Sequence, residues 1–301
     1  MSASVLFDVP GPTARRRSRM LSIVTIAIVV VIIGWVVYTL AQPTDSSGIT
    51  LPGRFDRSRW DIFTDPLIWG AIGGGLVNTL RAAAVAAVLA IVIGIAFSTL
   101  RTSASGWVRI PITIVLEFFR GMPVLLLMFF ILLVSSYGAF WSVVLGLALY
   151  NGAIIGESLR AGLASLPRGQ REAGLSIGLT RLQTKTYIEF PQAFRQMLPV
   201  IVAQLVVLLK DTSLGYIVGY NELIRTTMNT LLSFYGSRYV LSLFIITLVI
   251  YLIVNLSLSA VARRLARRRE PGAARARRGK SDPTPPEQER ARESGLPVAP
   301  R

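Results

Sequence analysis

The chain has 301 residues, 52% of them hydrophobic and 16% charged, with a mean hydropathy of +0.55 and a formal net charge of +16. That balance is too apolar for an ordinary soluble domain and ample for several membrane spans. Cysteine and histidine are both absent, which excludes disulfides, thiolate nucleophiles, histidine-ligated metals and imidazole proton relays.

A helix of about 20 apolar residues crosses the hydrocarbon core, and six runs of that kind predict an all-α integral membrane protein with six transmembrane helices. A basic segment, residues 1–20, precedes the first run, Leu21 to Ala41. That run is long for a signal-peptide core, and Thr39-Leu40-Ala41 is a poor cleavage site, so an uncleaved first span is expected. Residues 42–68 read as a loop rich in proline and glycine, with an interfacial turn anchored by Trp60 and Phe63. The second span runs from about Trp69 to Leu100, and its Gly70, Gly74 and Ala82 to Ala84 allow neighbouring helices to come close. The third covers Pro111 to Val134 and the fourth Ala139 to about Ile155. The fifth covers Met197 to Gly219 and the sixth Tyr239 to Val261. Residues 69–262 thus form the membrane core, interrupted by a polar loop over 158–195.

The charge distribution argues for a membrane surface and against nucleic acid as the partner of the basic residues. Four basic residues precede the first span, two separate the second and third, six lie between the fourth and fifth, and twelve follow the sixth. Five fall on the opposite side: Arg54, Arg57, Arg59, Arg225 and Arg238. Cytoplasmic loops carry the excess of Lys and Arg, so both termini are expected in the cytoplasm. The tail, 263–301, is rich in Arg, Pro, Ala and Glu and has no apolar period. It reads as a disordered extension held against anionic lipid, or as a specific docking arm.

Long loops in compact proteins usually carry function, and the loop between spans four and five contains REAGLSIGLTRLQTKTYIEFP. Leu166-Pro167 is expected to start a helix, with Gly174 and Gly178 four apart as a smooth strip and Glu172 near the positive N-terminal end. Thr180 is expected to end it, and Pro191 suits the start of the next helical segment. On these features alone, a basic amphipathic helix lying on the inner leaflet is equally admissible.

The order Glu172-Ala173-Gly174, three residues, Gly178, nine residues, Ile188-Glu189-Phe190-Pro191 resembles the EAA signature of permease subunits of ABC importers. It departs from that signature mildly, at Gly174 and Phe190. EFFRGMPVLLLMFF, ESLRAGLASLPRGQREAGLSIGL and LLKDTSLGYIVGYNEL are similar to the polar amino-acid branch, including glutamate-, glutamine- and histidine-type permeases. The resemblance covers about Gly75 to Ala262, a five-helix core to which the first span is an addition. It implies that Glu172, Ala173, Gly174, Gly178, Ile188 and Pro191 form a coupling helix that docks on a cytoplasmic ATP-binding subunit. It also implies an extracytoplasmic substrate-binding protein, a second permease subunit (the same or a paralogue), and transport by alternating access in the plasma membrane. No Walker-type phosphate loop occurs in the sequence, so ATP and Mg belong to the partner ATPase, and this chain is expected to hold no cofactor and catalyse no reaction. The resemblance weakly favours glutamate. A secondary transporter or channel for small polar solutes fits the hydropathy but leaves the EAA spacing unexplained.

Ionisable groups inside spans are costly and are paired or functional. Glu117 and Arg120, three apart and followed by Gly121 and Pro123, form either a structural ion pair or part of a gate or substrate path. Glu157 and Arg160, at the end of span four, favour a structural or interface role. Lys210 and Asp211 are adjacent and point about 100° apart on a helix, so each needs a partner elsewhere, a wet cavity, or unwound backbone. With Thr212 and Ser213 they either hold span five in the bundle or line the substrate path. Arg81 is free to snorkel, and Phe118, Phe119, Phe129 and Phe130 read as packing groups.

Overall fold

A computed structural model describes residues 11–46, 49–103 and 105–267. The N-terminal helix α1 spans Pro12–Ala41, its φ pre-set by proline in the first turn. Every side chain described along it is exposed, from its basic first turns through a run of Val and Ile. Most of the tail, 268–301, lies outside the described residues, as do residues 1–10 of the basic N-terminal segment.

Helix α2 spans Pro66–Arg101, and Asp65 closes its first turn by accepting the Leu67 N–H at 2.9 Å. Ala82, Ala86, Ala90, Gly94 and Ser98 recur every fourth residue and are all buried. That stripe of small side chains meets α5, Gly138–Ala164, almost backbone to backbone. A Cβ on Gly94 would sit 2.6 Å from Ile155 Cγ2 and 3.1 Å from the Gly152 carbonyl. One on Gly156 would sit 3.0 Å from Phe97 Cβ. Close crossings of this type let van der Waals contact hold helices together in lipid, where no hydrophobic force does so.

The third span is not one rod. Helix α3, Gly106–Gly121, and helix α4, Val124–Val134, meet at 107°. Met122, extended at φ −88° and ψ 130°, and Pro123 make the break. Proline drives the residue before it out of the helical region and has no N–H to continue the ladder. Hydropathy over Pro111 to Val134 is blind to this corner. Among the described residues, five helices are long and apolar enough to cross a membrane, and the bent pair passes the same test only when its two helices are taken together.

After α5 come the short helices α6, Arg168–Ser176, and α7, Arg181–Gln183, then a π-turn over Thr184–Glu189 that feeds α8, Phe190–Asp211. Helices α5 and α8 are pinned by Gln204 Nε2, which donates to the side-chain oxygen of fully buried Asn151 at 2.8 Å. Beyond α8 the chain tightens into a 3-10 turn, Thr212–Tyr216. It continues through α9, Leu223–Arg225, a second π-turn, Thr226–Leu231, and α10, Leu232–Tyr235. The last helix, α11, is Val240–Arg267 and so runs past residue 262 into the segment assigned to the tail.

Two compact units are distinguished. The larger takes Val77–Glu222 with the chain from Val249 on, and its core gathers Met128, Val143, Leu147, Ile155, Leu159, Ile201 and Leu208. The smaller takes the chain up to Leu76 with Leu223–Leu248. In it, residues 42–68 are more ordered than a loop. A short hairpin pairs Thr44–Ser46 with Ile49–Leu51, and 3-10 turns follow at Arg57–Arg59 and Asp61–Thr64. The ring contact of Trp60 with Phe63 is present, at 5.8 Å. Buried Arg59 knits this segment together, donating to the carbonyls of Pro52, Gly53 and Arg238 at 2.7, 3.0 and 2.8 Å. Arg238 pairs in turn with Asp61 at 3.2 Å.

Candidate functional site

The polar loop expected to do the coupling folds as a helix, a tight reversal and a second helical start. Three expectations for it need correction. Helix α6 ends at Ser176, four residues before Thr180. Thr180 instead starts α7: its Oγ1 accepts the Gln183 N–H while the Gln183 side chain accepts the Thr180 N–H at 2.9 Å, a reciprocal cap. Glu172 lies at the middle of the nine-residue α6, away from the positive end of the dipole.

The two glycines do not form one strip. Gly174 is buried, and a Cβ there would lie 2.6 Å from Thr184 Cγ2 and 2.9 Å from Ile188 Cδ1. Its missing side chain lets α6 seat on the π-turn. Gly178 lies beyond the helix at φ +87°, with open space where a Cβ would be. It closes α6 as a left-handed C-cap, with the Gly178 N–H on the Leu175 carbonyl at 3.0 Å and the Leu179 N–H on the Gly174 carbonyl at 3.2 Å. Ile188 thus supports Gly174 from below, while Ala173 and Glu172 are exposed. Pro191 stands in the first turn of α8, as its fixed φ suits. The outward face carries Ile177, 75% exposed, and three apolar groups that spacing did not single out, Leu175, Leu182 and Tyr187, also exposed. Apolar residues in a polar loop are the signal that was available for them.

Glu117 and Arg120 do pair, at 3.3 Å, but within a larger network. Arg101, the last residue of α2, places Nη2 3.3 Å from Glu117 Oε1 and donates through Nη1 to Glu157 Oε2. Glu157 also accepts from Arg160, at 2.6 and 3.0 Å. Five charges from the ends of α2, α3 and α5 therefore form a chain beside the loop that follows α2. Arg101 had been counted only as a topological charge, and its bridging role depends on helix ends distant in sequence.

Lys210 and Asp211 end α8, and the backbone tightens into a 3-10 turn from Thr212, so the regular helix does at least end here, one of the three alternatives open to these charges. Lys210 is exposed and Asp211 partly exposed, and among the described residues neither side chain has an ion-pair or hydrogen-bond partner. Thr212 is buried and turns its hydroxyl to the Leu209 carbonyl at 2.6 Å; Ser213 is partly exposed. Nearby stands a group the sequence did not mark, Glu222, 0% exposed, whose Oε2 accepts from Tyr251 at 2.8 Å. Asn78 holds the same stretch, donating to the Asn221 carbonyl while its own carbonyl accepts from Tyr220, both at 2.9 Å. A buried carboxylate is held in place by such donors. Arg81 stacks over Phe140, with 5.1 Å from the guanidinium carbon to the ring centre.

The same chain matches, over residues 86–271, the family described as binding-protein-dependent transport system inner membrane component. The glutamate transport system permease protein GluD of Corynebacterium glutamicum is 38% identical over 232 residues, covering 74% of this chain and 84% of the relative. The probable glutamine ABC transporter permease protein GlnP of Bacillus subtilis is 34% identical over 196 residues, covering 64% of this chain and 90% of the relative. Among solved structures, an amino acid ABC transporter with histidines superposes with a TM-score of 0.61 at 24% identity, over 71% of this chain and 98% of that one. The MetNI methionine transporter, in an inward-facing form, superposes with a TM-score of 0.57 at 18% identity, over 68% and 99%. Both structural likenesses carry the fold. With more than half of its length inside the family match, this multi-pass membrane chain belongs to the inner-membrane components of binding-protein-dependent transport systems.

Proposed function

We propose that the chain is the permease subunit of an ATP-driven importer for a polar amino acid of the glutamate type. The observation that carries this reading is the exposed α6 reversal, which presents Ile177 and Leu175 outward on a short helix seated by Gly174. The 38% identity to a glutamate transport permease supports the substrate class. In this reading α6, with Glu172, Ala173, Gly174, Gly178, Ile188 and Pro191, docks on a separate ATPase that holds ATP and Mg. A substrate-binding protein meets the opposite face, and a second permease subunit completes the path. Docking then moves the helices between two states, which is alternating access.

Lys210, Asp211, Thr212 and Ser213 are the proposed substrate contacts, with Glu117 and Arg120 moved from the path to the ionic chain at the helix ends. Two charges with no ion-pair partner among the described residues suit a zwitterionic amino acid, whose carboxylate and ammonium need one of each. Both termini face the cytoplasm in this reading. The test is the complex reconstituted with its ATPase and binding protein, in which glutamate should stimulate ATP hydrolysis above other amino acids. Equal activity without any amino acid would end the substrate assignment. Sidedness is tested in the naturally cysteine-free background: Ser237→Cys should react with an impermeant reagent added outside, and Ser176→Cys only from inside.

A further inference from the structure

We infer that the cavity beside α6 is a binding site for the headgroup of an anionic phospholipid. The space, about 650 Å³, opens between the ends of α2 and α5, the start of α3 and α7, and is lined by Arg109, Arg160, Arg171, Arg181 and Lys185 against a single acid, Glu189. Two of these cations are already engaged. Arg160 is held by Glu157, and Lys185 donates to Thr102 Oγ1 and to the Thr99 carbonyl. Arg109, Arg171 and Arg181 have no ion-pair partner among the described residues. Three uncompensated guanidiniums around one concavity create a strong field for an anion, and guanidinium matches phosphate with paired N–H donors.

The surroundings favour a lipid over an acidic protein surface. A second hollow of about 340 Å³ shares Arg109 and Arg160 with the first and is walled by Ile110 and Ile114. Along α3, Trp107, Ile110 and Ile114 are all exposed, Trp107 at 92%. Spacings of three and four put them on one face of the helix. Trp at the start of that stripe suits the headgroup level, and the isoleucines offer an apolar track for an acyl chain leading away from the cations. Basic pockets between helices on the cytoplasmic side take anionic headgroups by this arrangement. Leu175 and Ile177, at the end of α6, are the part suited to a protein partner, and neither lines this cavity; of the exposed apolar groups around them, Leu182 does.

The test is lipid retention by the full transporter complex, independent of transport and so of the substrate reading. Native mass spectrometry of the wild type from mixed vesicles should show phosphatidylglycerol retained over phosphatidylcholine. In Arg109→Gln/Arg181→Gln that preference should fall roughly 25-fold, a factor of about five for each basic side chain lost at an anionic surface. Arg109→Lys/Arg181→Lys should restore most of it. If the Gln pair fails to fold, titrating phosphatidylglycerol into phosphatidylcholine nanodiscs holding the wild type decides the matter. Equal retention of both lipids by the wild type overturns the inference. So does a Gln pair that keeps its lipid preference, or one that keeps it while shedding the ATPase, which would assign these cations to the protein partner.

Discussion

Gly178 gives the sharpest test of how the coupling segment works. Its φ of +87° lies in the left-handed region, and among the described residues no heavy atom beyond its own chain neighbours stands within 4 Å of where a Cβ would go. A substitution there meets backbone strain without a clash. For an L-residue that strain is about 1–2 kcal/mol, while asparagine enters the region more readily. If the ATPase binds only the closed reversal, Gly178→Ala should weaken ATPase association about 5- to 30-fold, the ratio that such an energy sets. Gly178→Val, β-branched, should be worse, and Gly178→Asn should recover most of the wild-type affinity. Membrane insertion should be equal for all four proteins. The assay is equilibrium binding of the purified ATPase to the permease in nanodiscs. If Asn is as damaging as Val while Ala is harmless, size and not backbone conformation is what matters, and the reasoning fails.

Other expectations follow from the same geometry. Gly152→Leu forces a side chain into a crossing where even a Cβ would lie 2.7 Å from Ile93 Cγ2 and 3.2 Å from the Ala90 carbonyl. It should cost about 1–3 kcal/mol or more, read as loss of folded protein in detergent, whereas Gly70→Leu, with open space, should be tolerated. Arg59→Lys keeps the charge but loses the fork that serves three carbonyls. It should destabilise the segment before α2 by about 1–3 kcal/mol, seen as faster proteolysis after Arg54 or Arg57. Lys210→Met and Asp211→Asn should leave assembly intact while reducing uptake, and failed assembly would instead give these charges a structural role.

What the sequence made legible was set by range. The spans follow from composition over twenty residues, and the coupling segment from spacing within a similar stretch. Gly174 and Gly178 show the limit, because glycine serves close packing at one and positive φ at the other, and spacing cannot tell these apart. Pro123 marked a weak point in span three, but the 107° angle depends on what α3 and α4 pack against. Glu222 was unreadable because a donor to it, Tyr251, lies 29 residues away on α11. The pairs Glu117–Arg120 and Glu157–Arg160 were legible three residues apart, but the Arg101 bridge that joins them escaped for the same reason.

The corner at Met122–Pro123 also settles a question of parity. Helix α3, with 16 residues, and α4, with 11, extend about 24 and 16 Å, so neither alone traverses a hydrocarbon core of about 30 Å. A dip that returned to its own side and a full passage would look alike in hydropathy. The ends of α2 and α5 decide between them: Arg101 reaches Glu157, and Lys185, after α5, reaches Thr102. Those ends share a side, so α5 must set out from the other one, and the bent pair has carried the chain across. Helices α5 and α8 inherit their directions from that single corner.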